Sequence, residues 1–371
     1  MMYIINAFHC RAGGGKQIAL SLINYIIENG QMKQFMVILN EPLKKELGDL
    51  SKYQDNFFTI EDDLSYLGKL KKFKMIENKI KPPAVLSIFG PTFWKPKAFH
   101  IVGFAKPQIV YEKEYLSSNA LSSFAKIKFR LKYTLQKWLF MANSDCYIVE
   151  SDDVNLRLRQ QFGLKESEVI TVSNTFNQLF NGYENRISEY PNYPTVPFRL
   201  LAIGTNYPHK NFSIIRKILP LIIEQNINVK FYVTFSEQEY KDSFSGFEEF
   251  VINLGVLSVK ECIEAYKNCD ALFLPTLLEC FSASWPESMM MGLPILTSDR
   301  SFSKSICGEA GIYFDPLSPI DVVDKIQLLV KDRELYNRKI EEGKLQLKKI
   351  PSAVDRAERY LKILKKQEHK S

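Results

Sequence analysis

Short apolar runs alternate with helically patterned stretches from one end of this chain to the other, and that alternation restricts it to an α/β fold built on parallel sheets. Two parallel strands need a crossover between them, so strand, helix and strand recur as a unit. The strands expected in the first half are 3–8, 34–39, 57–60, 84–89, 100–104, 147–150 and 169–172. Those of the second half are 199–203, 230–234, 251–254, 271–274, 295–297 and 312–314. Between the halves lies Tyr190-Pro191-Asn192-Tyr193-Pro194-Thr195-Val196-Pro197, whose prolines can neither continue a helix nor sit in a central strand. This predicts two domains, 1–189 and 190–352, hinged at the prolines. With 371 residues, 46% of them hydrophobic, the chain has material for two cores. Late in the chain Ser318-Pro319-Ile320-Asp321 combines an N-cap serine, a proline at the first helical position and an acid at the third, which predicts a helix to about residue 330. A last amphipathic helix is expected from 353 to about 366.

Composition narrows the function classes. No apolar run approaches the roughly 20 residues a membrane-spanning helix needs, and Met1-Met2-Tyr3-Ile4-Ile5-Asn6 reads as a strand rather than a leader, so a cytoplasmic protein is expected. Cys10, Cys146, Cys262, Cys269, Cys280 and Cys307 lack C-x-x-C pairing and histidine companions, which predicts buried thiols and no structural metal. The net charge of +7 is unevenly spread, with 15 basic and 3 acidic side chains between 64 and 140. Such an excess fits an anionic partner, nucleic acid or an anionic membrane surface, and the plainer alternative is a lysine-rich solvated face. Within it, residues 123–141 projected as a helix place Phe124, Ile127, Leu131, Leu135 and Trp138 on one stripe and Phe129, Tyr133 and Phe140 on a second, between basic flanks. One stripe can bury against a sheet while the other meets lipid headgroups.

The chemistry concentrates at Leu274-Pro275-Thr276-Leu277-Leu278-Glu279-Cys280-Phe281-Ser282-Ala283-Ser284-Trp285-Pro286-Glu287, followed by Gly292-Leu293-Pro294-Ile295. Two carboxylates have seven residues between them, after a buried strand and across the start of a short helix. One can accept hydrogen bonds from a sugar hydroxyl and the other from a ribose diol, while N–H groups at the helix start face a diphosphate. Upstream, Ile203-Gly204-Thr205-Asn206-Tyr207-Pro208-His209-Lys210 reads as a strand end, a turn and a helix start, where a lysine adds a full charge to the helix dipole. Arg11-Ala12-Gly13-Gly14-Gly15-Lys16 follows the first strand, and its glycines allow close backbone approach to a ligand without matching a Walker or Rossmann fingerprint.

With its flanks Pro275, Phe281, Gly292 and Pro294, the double-glutamate stretch resembles the signature of retaining glycosyltransferase family 4, the group 1 glycosyl transferases of bacterial surface-polysaccharide type. The resemblance implies a GT-B fold, α/β, with two Rossmann-like domains facing a central cleft. The N-terminal one would bind the acceptor, with the final helix 353–371 packing back onto it, and the C-terminal one the nucleotide sugar. It implies Glu279 and Lys210 as catalytic residues. Donor contacts would come from Gly14, Gly15, Gly204, Thr205, Lys210, Gly255, Val256, Phe281, Ser282, Ala283 and Glu287. Glu287 would hold the ribose, the turn at Gly255 and Val256 the base, and no cofactor or metal would be required. Asn174 matches an asparagine of architectural role. Three positions depart from the pattern: Ser282 stands for glycine, Thr205 for arginine, and no histidine occupies Gly103 or Phe104.

The function so implied is retaining transfer from a UDP- or GDP-sugar to a glycan or a lipid-diphosphate-linked acceptor, in O-antigen, capsule or exopolysaccharide assembly at the inner face of a bacterial membrane. Two alternatives share the fold, a nucleotide-sugar epimerase or hydrolase and a non-catalytic glycosyltransferase-like subunit. Nucleic-acid binding would leave Glu279 and Glu287 without a task, so no nucleic-acid partner is expected.

Overall fold

A computed structural model describes residues 1–11, 13–118 and 122–369. It forms two compact units.

The first unit carries strands β1 (Tyr3–Asn6), β2 (Phe35–Leu39), β3 (Phe57–Thr59), β4 (Ala84–Ser87), β5 (Phe99–Phe104), β6 (Cys146–Val149) and β7 (Val169–Thr171). They make one parallel sheet in the order β3-β2-β1-β4-β5-β6-β7. The helices between these strands in the chain are α1 (Gly13–Glu28), α2 (Glu41–Leu47), α3 (Tyr66–Ile80), α4 (Pro107–Val110), α5 (Glu112–Ser118), α6 (Ser123–Asn143) and α7 (Asp152–Phe162), of which α5, after Glu112, groups with the second unit. Because both faces of the sheet are covered, the strands are apolar throughout rather than alternating with polar residues. The pleat still sorts the side chains. Ile5, Val37 and Leu86 join the core under α1, whereas Ile4, Met36, Ile38 and Val85 join a second core with Phe73, Ile76 and Trp94. Each such buried aliphatic side chain is worth roughly 1.5–3 kcal/mol relative to exposure.

The second unit carries β8 (Phe198–Ala202), β9 (Val229–Val233), β10 (Val251–Asn253), β11 (Ala271–Leu274), β12 (Ile295–Ser298) and β13 (Gly311–Phe314), again all parallel, in the order β10-β9-β8-β11-β12-β13. Its helices are α8 (Ile214–Glu224), α9 (Glu237–Phe244), α10 (Val259–Lys267), α11 (Ser284–Met290), α12 (Ser301–Cys307), α13 (Pro319–Lys331) and α14 (Arg333–Leu347). Ser318 caps α13 as its sequence predicts, its hydroxyl accepting from the Asp321 N–H at 3.3 Å. Among the described residues, no helix is long and apolar enough to cross a membrane.

The last helix, α15 (Ala353–Lys365), returns to the first unit and packs along α1. Arg356, nearly fully buried there, donates to the Asn174 side chain and, at 2.6 Å, to the Ser21 hydroxyl. Asn174 in turn donates to the Glu150 carboxylate at 2.7 Å, so a buried cation and a buried anion are joined through one amide.

The proline stretch is not where the units divide. The first unit's leading part ends at Asn174, and Thr175–Ile350 belong to the second together with residues 113–118. The reason lies in what 175–197 packs against. Phe180 sets its ring edge-on to Tyr266, Arg186 donates to the carbonyls of Met291 and Lys267, and Tyr190 packs on Tyr336 while its hydroxyl donates to the Val330 carbonyl. The Asn228 amide holds the Pro194 carbonyl at 2.7 Å. The whole segment is therefore fastened to the second unit.

Where the family resemblance calls for a histidine, β5 has no space for one. Gly90 N–H donates to the Gly103 carbonyl at 2.9 Å, and a Cβ on Gly103 would lie 1.8 Å from the Ile88 carbonyl oxygen. Phe104 is fully buried. His100, also fully buried, is committed to Ser87 and to the Asn143 carbonyl, and burial lowers its pKa to about 4.

Candidate active site

In the second unit the strand order reverses between β8 and β11, so the loops leaving these two central strands diverge and open a crevice beyond their carboxyl ends. Lys210 comes from the first loop and Glu279 from the second. After β8, Gly204 adopts φ +138° and donates its N–H to the Thr234 hydroxyl at 2.9 Å, which ties the turn to the end of β9. Pro208–Lys210 then form a single 3-10 turn, closed by Asn211 in the left-handed region (φ +56°) with its amide on the Pro316 carbonyl. Thr205 is exposed.

Lys210 and Glu279 form an ion pair with little exposure, 14% and 11% of their side chains respectively. Three contacts fix the loops around it: Leu277 N–H donates to the His209 carbonyl at 2.7 Å, and the Thr276 hydroxyl reaches that same carbonyl at 3.1 Å and the paired Glu279 oxygen at 3.3 Å. His209 stacks on Tyr207, and burial lowers its pKa against the opposing pull of the Glu279 carboxylate.

Every residue from Pro275 to Ser282 is buried, so the segment bearing Glu279 is packed as tightly as the strand before it. Trp285, fully buried, donates from Nε1 to the Thr297 hydroxyl at 3.2 Å, and that hydroxyl donates to the Leu274 carbonyl, locking α11 to β11 and β12. The segment turns back at Gly292, φ +63°, where a Cβ would meet the Arg186 carbonyl oxygen at 2.2 Å. Among the described residues, no protein acceptor takes the backbone N–H of Phe281, Ser282 or Ala283. These are consecutive donors just ahead of a helix, two of them on buried residues, and a buried amide without a partner is costly unless something else accepts from it.

Glu287 lies in the first turn of α11, where the Tyr266 hydroxyl donates to Oε2 at 3.1 Å. Burial pushes its pKa up to about 7, against the opposing pull of the hydrogen bonds from Tyr266 and the Asn177 backbone. At the same end of the sheet, beyond β10, Gly255 takes φ +75° with its N–H on the Asn253 side chain at 3.2 Å, and Val256 projects into solvent. The unit thus brings Lys210 into contact with Glu279, and it sets Gly204, Thr205, Gly255, Val256, Phe281, Ser282, Ala283 and Glu287 on loops or the helix start beyond the strands' carboxyl ends.

Gly14 and Gly15 belong to the first unit, in the opening turn of α1 after β1, again beside a reversal of strand order. A Cβ on Gly15 would lie 3.2 Å from the Phe89 ring, whereas one on Gly14 would meet nothing within 4 Å. Sequence reasoning missed Thr276, Tyr266 and Asn253, the residues that orient Glu279, Glu287 and the Gly255 turn. Thr276 adjoins the motif and could have been flagged. Tyr266 and Asn253 become visible only once the strand order is known. Among the described residues, no cluster of three or more His, Cys, Asp or Glu side chains is placed to hold a metal ion.

Residues 197–332 match the family model described as glycosyl transferases group 1. No curated protein matches the chain. Solved structures similar to it over its whole length include sucrose-phosphate synthase from Thermosynechococcus elongatus, at 14% identity and TM-score 0.75, with 100% of each chain covered. HepE from Anabaena in complex with UDP-glucose is similar at 12% identity and TM-score 0.69, covering 99% of this chain and 100% of that one. WaaG, a glycosyltransferase involved in lipopolysaccharide biosynthesis, is similar at 14% identity and TM-score 0.69, covering 98% and 99%. The fold is that of the GT-B enzymes, and the matched domain makes the chain a glycosyltransferase.

Proposed function

We propose that this glycosyltransferase moves a sugar, with retention of configuration, from a UDP- or GDP-sugar held by the second unit to a glycan or lipid-diphosphate-linked acceptor, as family 4 enzymes of bacterial surface-polysaccharide assembly do. The observation that carries the reading is the Lys210–Glu279 pair at the sheet's reversal point, with the unengaged amides of 281–283 a few residues on. Without donor, Lys210 neutralises Glu279. A bound diphosphate would draw the ammonium to itself, where the amides also donate, and would leave the Glu279 carboxylate to accept from a sugar hydroxyl. Glu287 would take the ribose diol and the Gly255–Val256 turn the base. The leaving phosphate's charge would then be met by a cation and aligned N–H dipoles, with no metal in that role. The UDP-glucose complex of HepE supports a uridine donor, and WaaG's part in lipopolysaccharide biosynthesis supports a surface-glycan product.

Thermal-shift titration with UDP, GDP, dTDP and ADP tests the donor half of the reading. One nucleotide is expected to raise the melting temperature, and Lys210→Ala to remove most of that rise. If none of the four stabilises the wild-type protein, the reading fails.

The Glu287 pKa of about 7 gives donor binding a pH dependence. The ribose diol needs the ionised carboxylate as acceptor, so affinity is present above pH 7 and declines below it, to about one tenth by pH 6. Glu287→Gln is expected to flatten that profile in isothermal titrations, and an equally steep profile in the variant would assign the effect elsewhere. For folding the sign is opposite. A carboxyl raised from 4.5 to about 7 on folding gives stability that is full below pH 4.5 and is lost as the pH rises through 7.

A further inference from the structure

Helix α6 presents to solvent what a soluble surface rarely carries. Phe124 is 77% exposed, Leu131 68% and Trp138 61%, and Ile127, Leu135 and Met141 are exposed as well. Their spacing places Phe124, Ile127, Leu131, Leu135 and Trp138 on one narrow stripe, with Met141 at its edge. The opposite side is the one that packs inward: Phe140 is fully buried, Tyr147 donates to its carbonyl at 3.0 Å, and Phe129 and Tyr133 are half-buried ring against ring. The exposed stripe is therefore not the helix's core face. It is a second apolar face on a helix whose first is already used.

Charge identifies what covers it. α6 contains no Asp or Glu, and its cations flank the stripe on both sides, Lys128 and Lys132 on one and, on the other, Arg130, which without lipid pairs with Glu112 at 3.4 Å; all three are exposed. A second copy of the chain seated on this face would bring like charges together. An anionic bilayer would meet both features at once, acyl chains on the stripe and headgroup phosphates on the flanks.

We propose that α6 is an interfacial helix that docks the first unit on an anionic membrane surface, its stripe immersed at the headgroup–acyl boundary and Lys128, Arg130 and Lys132 on lipid phosphates. This goes beyond the transfer reaction and stands or falls independently of the donor.

The chain carries its own probe. Of its three tryptophans, Trp94 and Trp285 are buried and Trp138 lies on the stripe. Vesicles of phosphatidylcholine with phosphatidylglycerol are expected to co-sediment with the full chain and to shift its tryptophan emission to the blue, while phosphatidylcholine alone does neither. About 0.5 M NaCl should release it. The double variant Leu131→Glu/Leu135→Glu should lose binding by about two orders of magnitude, and Lys128→Gln/Lys132→Gln by about thirtyfold. All four side chains are exposed, so melting temperature and nucleotide-induced stabilisation should stay at wild-type values, which separates a failure of docking from a failure of the donor site. Absence of both sedimentation and emission shift with anionic vesicles would overturn the proposal. So would a lipid-free dimer that Leu131→Glu/Leu135→Glu dissociates, because the stripe would then be a subunit interface.

Discussion

Replacing Glu279 with Gln is expected to leave a folded protein that still binds its nucleotide but turns over about three orders of magnitude more slowly. The argument starts from the ion pair. Lys210 and Glu279 neutralise each other in a largely buried setting, with Thr276 donating to the same carboxylate oxygen. Glutamine keeps the shape and an acceptor for Thr276 but loses the charge that would work against the developing positive charge on the transferred sugar. Diphosphate binding rests on Lys210 and the amides of 281–283, so it should survive. Breaking a fully buried pair costs about 3–5 kcal/mol, and here the penalty is smaller, because an ammonium on a flexible stem can turn toward the crevice. Initial rates with the cognate donor, read beside nucleotide-induced stabilisation, separate the two effects. Turnover near that of the wild type would remove Glu279 from the reaction and end the proposed assignment.

What the sequence shows of this molecule is what burial writes into it locally. Every expected strand is present, because a strand covered on both faces must be apolar along its length. The strand ends are less legible. Residues 84–89 read as one run, yet β4 ends at Ser87; Ile88 still donates its N–H to the Asn6 carbonyl at 3.0 Å and stays buried, so the apolar run outlasts the strand. The prolines at 191, 194 and 197 announce irregular backbone, but which unit that backbone belongs to is decided by Arg186, Tyr190 and their partners more than eighty residues away, a distance at which local pattern carries no information. The site divides in the same manner. Lys210 and Glu279 stand out by their spacing from strand ends, and their meeting follows from β8 and β11 being neighbours. Tyr266 looks like any apolar-face residue of an amphipathic helix until α11 is laid beside it and its hydroxyl is found on Glu287.

The largest expected effect on stability comes from a position with no part in the chemistry. At Gly103 the backbone of β5 runs so close to the segment leaving β4 that a Cβ would overlap the Ile88 carbonyl oxygen at 1.8 Å, a contact with a backbone atom that no rotamer change can relieve. The neighbouring Gly90 is equally confined, its Cβ position lying 2.6 Å from the Phe140 ring and 2.7 Å from the Val102 side chain. Relief would require parting two central strands of a seven-stranded sheet and losing the Gly90–Gly103 hydrogen bond. Gly103→Ala is therefore expected to cost about 4 kcal/mol or more, enough to unfold much of the first unit at ambient temperature. Gly103→His, which would put a histidine at a position where the family resemblance calls for one, should fare worse, so this chain cannot gain it at 103 by a single exchange. Gly14→Ala is the matched control, with nothing within 4 Å of the added carbon and no positive φ, and it should melt as the wild type does. Urea unfolding followed by circular dichroism distinguishes the cases. A Gly103→Ala protein as stable as the control would mean that the strands have slack, and that the missing histidine has a cause other than space.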